Sequence, residues 1–201
     1  MPSRFLQPGA TNSLLSDQWF NEQYPPSIAA LTERHWTPLI VAKRAAEFLA
    51  TGNQVRILDI GSGVGKFCLS AAHFAPHALF FGIEQRKRLV HYADKARESL
   101  GLENVSFIHG NFTQIDFKDY DHFYFYNSFY ENLDGTDKID DSIEYSGELF
   151  NYYNRYLYRQ LDARSPGTRL VTYHSLEDEL PPSYHLADCM MNDLLKFWVK
   201  A

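Results

Sequence analysis

Cysteine is scarce in this sequence: Cys68 and Cys189 stand far apart, with no Cys-x-x-Cys pair. Neither a zinc cluster nor a disulfide framework is suggested, and a reducing interior is the natural setting. An excess of positive charge is lacking too. Nineteen Lys and Arg against 25 Asp and Glu give a formal charge of −6, which argues against electrostatic capture of nucleic acid or of an anionic membrane, so neither is an expected partner. No apolar run approaches the length needed to cross a bilayer, and the opening MPSRFLQPGA has neither a continuous apolar core nor a small-residue cleavage pattern; a cytoplasmic protein is expected. Repeats and low-complexity tracts are missing. His73 and His77 in HFAPH are interrupted by Pro76 and lack a third ligand, and DGTDKIDD lacks the glycine and terminal glutamate of a calcium loop, so no metal is assigned.

What is present is a chain long enough, at 201 residues and 45% hydrophobic, to bury one sizeable core. TPLIVAKRAAEFLATG reads as a helix with Thr37 as its cap, Pro38 at the first helical position and Lys43 paired with Glu47. Then QVRILDI, ALFFGIE, NVSFIHG, DHFYFYNSF and TRLVTYH read as strands, separated by the helical stretches KFCLSAAHFA, RKRLVHYADKARESLG and ELFNYYNRYLYRQLDA. The alternation predicts an α/β, doubly wound, mostly parallel sheet. At the C-terminus YHLADCMM and LLKFWVKA have only Asn192 and Asp193 between them. So short a link makes an antiparallel β-hairpin, and one of its strands must oppose the rest of the sheet. Residues 1–52 are expected to form an N-terminal helical extension, packed as one compact unit with a Rossmann-like domain over 53–201. The acidic run ENLDGTDKIDDSIEYSGE is expected to be a solvated loop that favours cationic substrates over polyphosphates.

After the first strand, Gly61, Gly63 and Gly65 leave a bare turn at the switch point of the sheet, where a ligand can lie against backbone N–H groups. Glu84, ending the second strand, is placed to accept from two ribose hydroxyls. A nucleotide-like ligand follows. The dinucleotide fingerprint wants a glycine or alanine where Lys66 stands, which leaves a nicotinamide-dependent oxidoreductase as a lesser alternative.

LDIGSGVG, GIE, GNF and NSFYE, in this order and followed by TRLVTYH and the closing hairpin, resemble the class I S-adenosylmethionine-dependent methyltransferases from about Gln54 onward. Within that class GSGVG, GIE, GNF and NSF are most similar to the non-SET histone lysine methyltransferases. The resemblance implies a seven-stranded sheet and S-adenosyl-L-methionine as cofactor. It implies that Asp59, Gly61, Gly63 and Gly65 hold the methionine part, Glu84 the ribose, and Asn111 and Phe112 the adenine. The acceptor is expected past the fourth strand, where Asn127 accepts from an amino nucleophile and Tyr130 adds an aromatic face. His174, and His35 beside Trp36, are candidate bases. The expected activity is methyl transfer to an amino or other nucleophilic group of a small molecule or protein. The alternative is a cofactor- or partner-binding protein without turnover. The sequence leaves the oligomeric state open.

Overall fold

A computed structural model describes residues 16–31, 36–175 and 180–201; the candidate base His35 lies outside the described residues. Its elements, in chain order, are α1 (Asp17–Asn21), α2 (Pro26–Ala29), α3 (Leu39–Leu49), β1 (Arg56–Ile60), α4 (Lys66–Phe74), β2 (Leu79–Glu84), α5 (Lys87–Leu100), β3 (Val105–His109), β4 (His122–Phe125), α6 (Gly147–Asp162), β5 (Arg169–Tyr173), β6 (Tyr184–Met190) and β7 (Leu195–Lys200). The strands form one sheet in the order β3-β2-β1-β4-β5-β7-β6. β1 pairs in parallel with β2 and β4, and the order reverses there, as in a doubly wound sheet. β7 runs antiparallel to both β5 and β6, so the reversed strand is the last one.

The strands alternate between two cores, as a period of two requires. In β4, Tyr124 joins the layer formed by α3, α4 and α5, while Phe123 and Phe125 join the layer under α6. α6 holds its place through Tyr153, Leu157 and Leu161, spaced one turn apart and all buried. Ser146 caps it, its hydroxyl accepting from the Leu149 N–H. Residues 16–31 pack on the same unit: the Tyr24 hydroxyl donates to the Val64 carbonyl at 3.1 Å, and Phe20 and Tyr24 set their rings against Trp36.

Several local expectations change. α3 starts at Leu39 rather than Pro38, with Pro38 as its cap. The Asp17 carboxylate accepts from the Leu39 N–H at 3.2 Å, which does the work of a cap from another element. Thr37 is thereby free to pair its hydroxyl with that of Tyr124 at 3.0 Å. Glu47 pairs with Arg44, not Lys43, and Lys43 lies over the Phe74 ring. The hairpin link is longer than Asn192 and Asp193 alone, because Met191, Asn192 and Asp193 are all left-handed and β7 begins only at Leu195.

Candidate active site

The turn between β1 and α4 carries Gly61, Gly63 and Gly65 at φ of 79°, 55° and 80°, a region L side chains seldom adopt. The three glycines do different things. A Cβ on Gly61 would lie 2.4 Å from the Ser128 side chain, and one on Gly65 would lie 2.3 Å from the Phe107 ring. At these two the space a Cβ would take is filled by neighbouring side chains, so the three glycines are not equal gaps. A Cβ on Gly63 would meet nothing within 4 Å. Gly63 alone faces open space, and its N–H donates to Glu84 Oε2 at 3.1 Å.

Glu84 is buried at the end of β2. Its other oxygen, Oε1, accepts from the Arg86 N–H at 2.8 Å. Burial raises its pKa, and the Arg86 charge opposes the rise. Arg86, itself buried, donates to Glu131 at 2.6 Å, to Tyr145 at 2.7 Å and to Asp140 at 3.3 Å. The acidic run is therefore no simple solvated loop. Its charges on Glu131 and Asp140 are spent on one arginine, and Ile139 and Ile143 reach the wall of the cavity that Glu84 also lines.

That cavity, about 630 Å³, opens at the carboxyl edge of β1, β2, β4 and β5. Gly61, Gly63, Glu84, Phe112, Asn127 and Tyr130 all line it, so most of the expected site residues are brought together. Gly65 is not on its wall, and neither are Asp59 and Asn111. Asp59 lies behind the turn, facing a void of about 30 Å³ shared with Thr37 and Tyr124. The Cys68 thiol donates to it at 3.6 Å, and burial pushes the carboxyl up to about 8. Asn111 caps the turn Phe112–Gln114. It accepts from the Thr113 N–H and hydroxyl and donates to Gln85 at 3.0 Å and to Tyr153 at 2.8 Å. Its amide is thus fully engaged, and the residue it steadies on the cavity wall is Gln85.

At the other end, Asn127 sits at φ 39°, followed by Ser128, whose hydroxyl donates to the Ile60 carbonyl at 2.6 Å. β4 is thereby tied to β1 just where both leave the sheet. Tyr126, Tyr173 and His174 group their rings here: Tyr126 and Tyr173 are 4.7 Å apart, Tyr173 and His174 4.3 Å, and Tyr126 and His174 5.7 Å. All three line the cavity, and burial lowers the pKa of His174. Tyr126 and Tyr173 were not singled out from the sequence. Their signal was position alone, Tyr173 at the last residue of β5 and Tyr126 just past the end of β4, both at the ligand edge. Lys66, noted only for breaking the dinucleotide fingerprint, is also on the wall.

Comparison with known proteins fits this geometry. A family model described as "Methyltransferase domain" matches residues 52–194. Over 54 residues the chain is 50% identical to a tRNA (guanine-N(7)-)-methyltransferase of Microcystis aeruginosa, covering 27% of this chain and 26% of that protein. The chain thus aligns with about a quarter of the length of the curated relatives it matches. An RNA methyltransferase from Salinibacter ruber in complex with S-adenosyl-L-homocysteine has the same fold, with a TM-score of 0.59 at 24% identity over 82% of this chain and 92% of that one. Precorrin-6y C5,15-methyltransferase from Geobacter metallireducens shares it at a TM-score of 0.55 and 12% identity, over 83% and 89%. With the family match running through most of the chain, this protein belongs to the methyltransferase-domain family, on the class I fold that uses S-adenosylmethionine.

Proposed function

We propose that this protein methylates a ring nitrogen of a flat heteroaromatic acceptor, with the N7 of a guanine as the form in best keeping with its relatives. The observation that carries the reading is the group of three rings, Tyr126, Tyr173 and His174, beside Asn127 in the same cavity as Gly63. S-adenosylmethionine, when bound, supplies a methyl group on a positively charged sulfur. In this reading Glu84 holds the ribose, Gly63 gives the backbone approach, and Phe112 and Gln85 flank the adenine. Asp59, from behind the turn, fixes the loop that meets the methionine part. Tyr126 and Tyr173 hold the acceptor ring, and Asn127 orients its polar edge.

A ring nitrogen with a free lone pair needs no general base, and it becomes positively charged as it is methylated. Electron-rich tyrosine faces stabilise such a charge. His174, kept neutral by its lowered pKa, adds a ring without an opposing charge. The task left to the protein is alignment and exclusion of water, which accounts for much of the rate in reactions of this kind. A nucleobase acceptor departs from the partner expected from net charge. The tRNA-modifying relatives support it, whereas the −6 charge favours an acceptor read by its base rather than by its phosphates.

The test uses labelled S-adenosylmethionine with a tRNA transcript and with the same transcript carrying 7-deazaguanine. Label in the first and not in the second supports the reading. Label in both overturns the guanine N7 form, and label in added histone or polyamine but in neither RNA overturns the ring-nitrogen reading altogether. The amino acceptor remains as a second reading, favoured by Asn127, which lies on the wall and whose amide carbonyl is an acceptor for N–H. An amine must first lose a proton, so its turnover would climb with pH, and that of a ring nitrogen would not.

A further inference from the structure

Lys66 is an unusual residue for the start of a helix packed against a core. Its side chain is only 3% exposed. Its ammonium pairs with the Asp17 carboxylate of α1 and sits 5.6 Å and 5.7 Å from the ring centres of Phe20 and Trp36. Burying a lysine this completely is costly unless its charge is answered. A partner that is itself about half exposed answers it only in part. Both members of the pair line the large cavity, whose wall also includes Gly61, Gly63 and Val64. Lys66 and Gly61 also line the small void at Asp59.

We infer that Asp17 and Lys66 form a clamp for the amino-acid end of the cofactor, with Lys66 taking the α-carboxylate and Asp17 the α-ammonium. This deepens the cofactor reading given above and rests on it. The charges correspond one to one: a positive and a negative group, already side by side, meet a zwitterion of the opposite order. Inserting the zwitterion exchanges one ion pair for two, without changing the net charge of the pocket. Lys66 lies directly after Gly65, so the residue that breaks the dinucleotide fingerprint becomes the one that recognises an amino acid where a dinucleotide has a pyrophosphate. Asp17 also accepts from the Leu39 N–H. That bond keeps its carboxylate at the cavity wall when Lys66 turns to a ligand.

Calorimetry with three ligands tests the clamp without recourse to turnover: S-adenosylhomocysteine, its decarboxylated analogue, which keeps the amine, and methylthioadenosine, which has neither group. The wild-type protein should bind S-adenosylhomocysteine at least about tenfold more tightly than the decarboxylated analogue. Lys66→Gln should bring these two within about threefold of each other while methylthioadenosine binding stays unchanged. Asp17→Asn should weaken both amine-bearing ligands by a similar factor, and methylthioadenosine much less. Equal wild-type affinity for the first two ligands, or a Lys66→Gln protein that still discriminates between them, overturns the carboxylate half. An Asp17→Asn protein that binds S-adenosylhomocysteine more tightly overturns the ammonium half, since Asp17 would then be a competitor. Should Lys66→Gln fail to fold, the wild-type series and Asp17→Asn still decide. If the wild-type protein binds none of the three ligands, the cofactor reading itself fails, an outcome distinct from uniform binding of all three.

Discussion

At Gly63 two quantities usually confounded in glycine loops come apart. Its φ of 55° strains any other residue, yet a Cβ there touches no protein atom. Alanine should therefore cost only the backbone term, about 1 kcal/mol of stability, while its methyl intrudes on the space a ligand fills. The expected outcome for Gly63→Ala is a folded protein with a melting temperature a few degrees lower and S-adenosylhomocysteine affinity reduced by at least tenfold. Gly61→Ala and Gly65→Ala should do the reverse in proportion, since their added carbons collide with Ser128 and Phe107 and the loss is first one of folding. Thermal melts and titrations of the three variants check this, and equal ligand affinity in Gly63→Ala and wild type would remove the turn from the site. From sequence the three glycines were indistinguishable. Each shows only that a side chain is unwelcome, and whether ligand or protein fills the space depends on Ser128 and Phe107, more than forty positions downstream.

Among elements, the periodic ones were legible and the links were not. β1 to β5 and the helices between them follow from runs of β-branched and aromatic residues and from apolar stripes one turn apart, properties that a short window contains. The acidic segment after β4 was misread, because its carboxylates look solvated until Arg86, some fifty positions earlier, is brought beneath them. Arg86 contacts Glu84, Glu131 and Asp140 together, so this arginine ties Glu84 to the acidic segment that shares the cavity wall with it. Removing one member of a buried ion cluster leaves the others uncompensated and costs about 3 kcal/mol or more. Arg86→Met keeps the apolar bulk and should release the segment: limited proteolysis is expected to cut between Leu133 and Tyr145 at least tenfold faster than in wild type. It should also weaken S-adenosylhomocysteine, since Glu84 loses the charge that opposes its raised pKa. A protease pattern identical to wild type would mean that the segment is held by its apolar contacts, Ile139 and Ile143 among them.

For the molecule as a whole, charge and shape give different hints about the acceptor, and the difference can be measured. Part of the cavity wall, Gly61, Gly63, Glu84, Phe112 and Asn127, was readable where the chain itself repeats a known order of motifs. The wall was not readable at Tyr126 and Tyr173, which converge only once β5 is laid beside β4. Those late-found rings favour a flat base. A net charge of −6, by contrast, gives no general attraction for a polyanion, and two carboxylates of the segment at the pocket, Glu131 and Asp140, are engaged with Arg86, whose single charge they share with Glu84. If an RNA is methylated, it should be held through its base and few phosphates, on the order of two. The apparent KM for a tRNA transcript is then expected to rise only about tenfold between 50 and 200 mM salt, whereas a protein that follows the backbone through six to ten contacts loses about 10³ to 10⁵ over the same range. Steady-state rates at three salt concentrations suffice. A steep dependence would show a basic track along the surface that the overall charge conceals, and would place the recognition of the acceptor in its phosphates rather than in the aromatic end of the cavity.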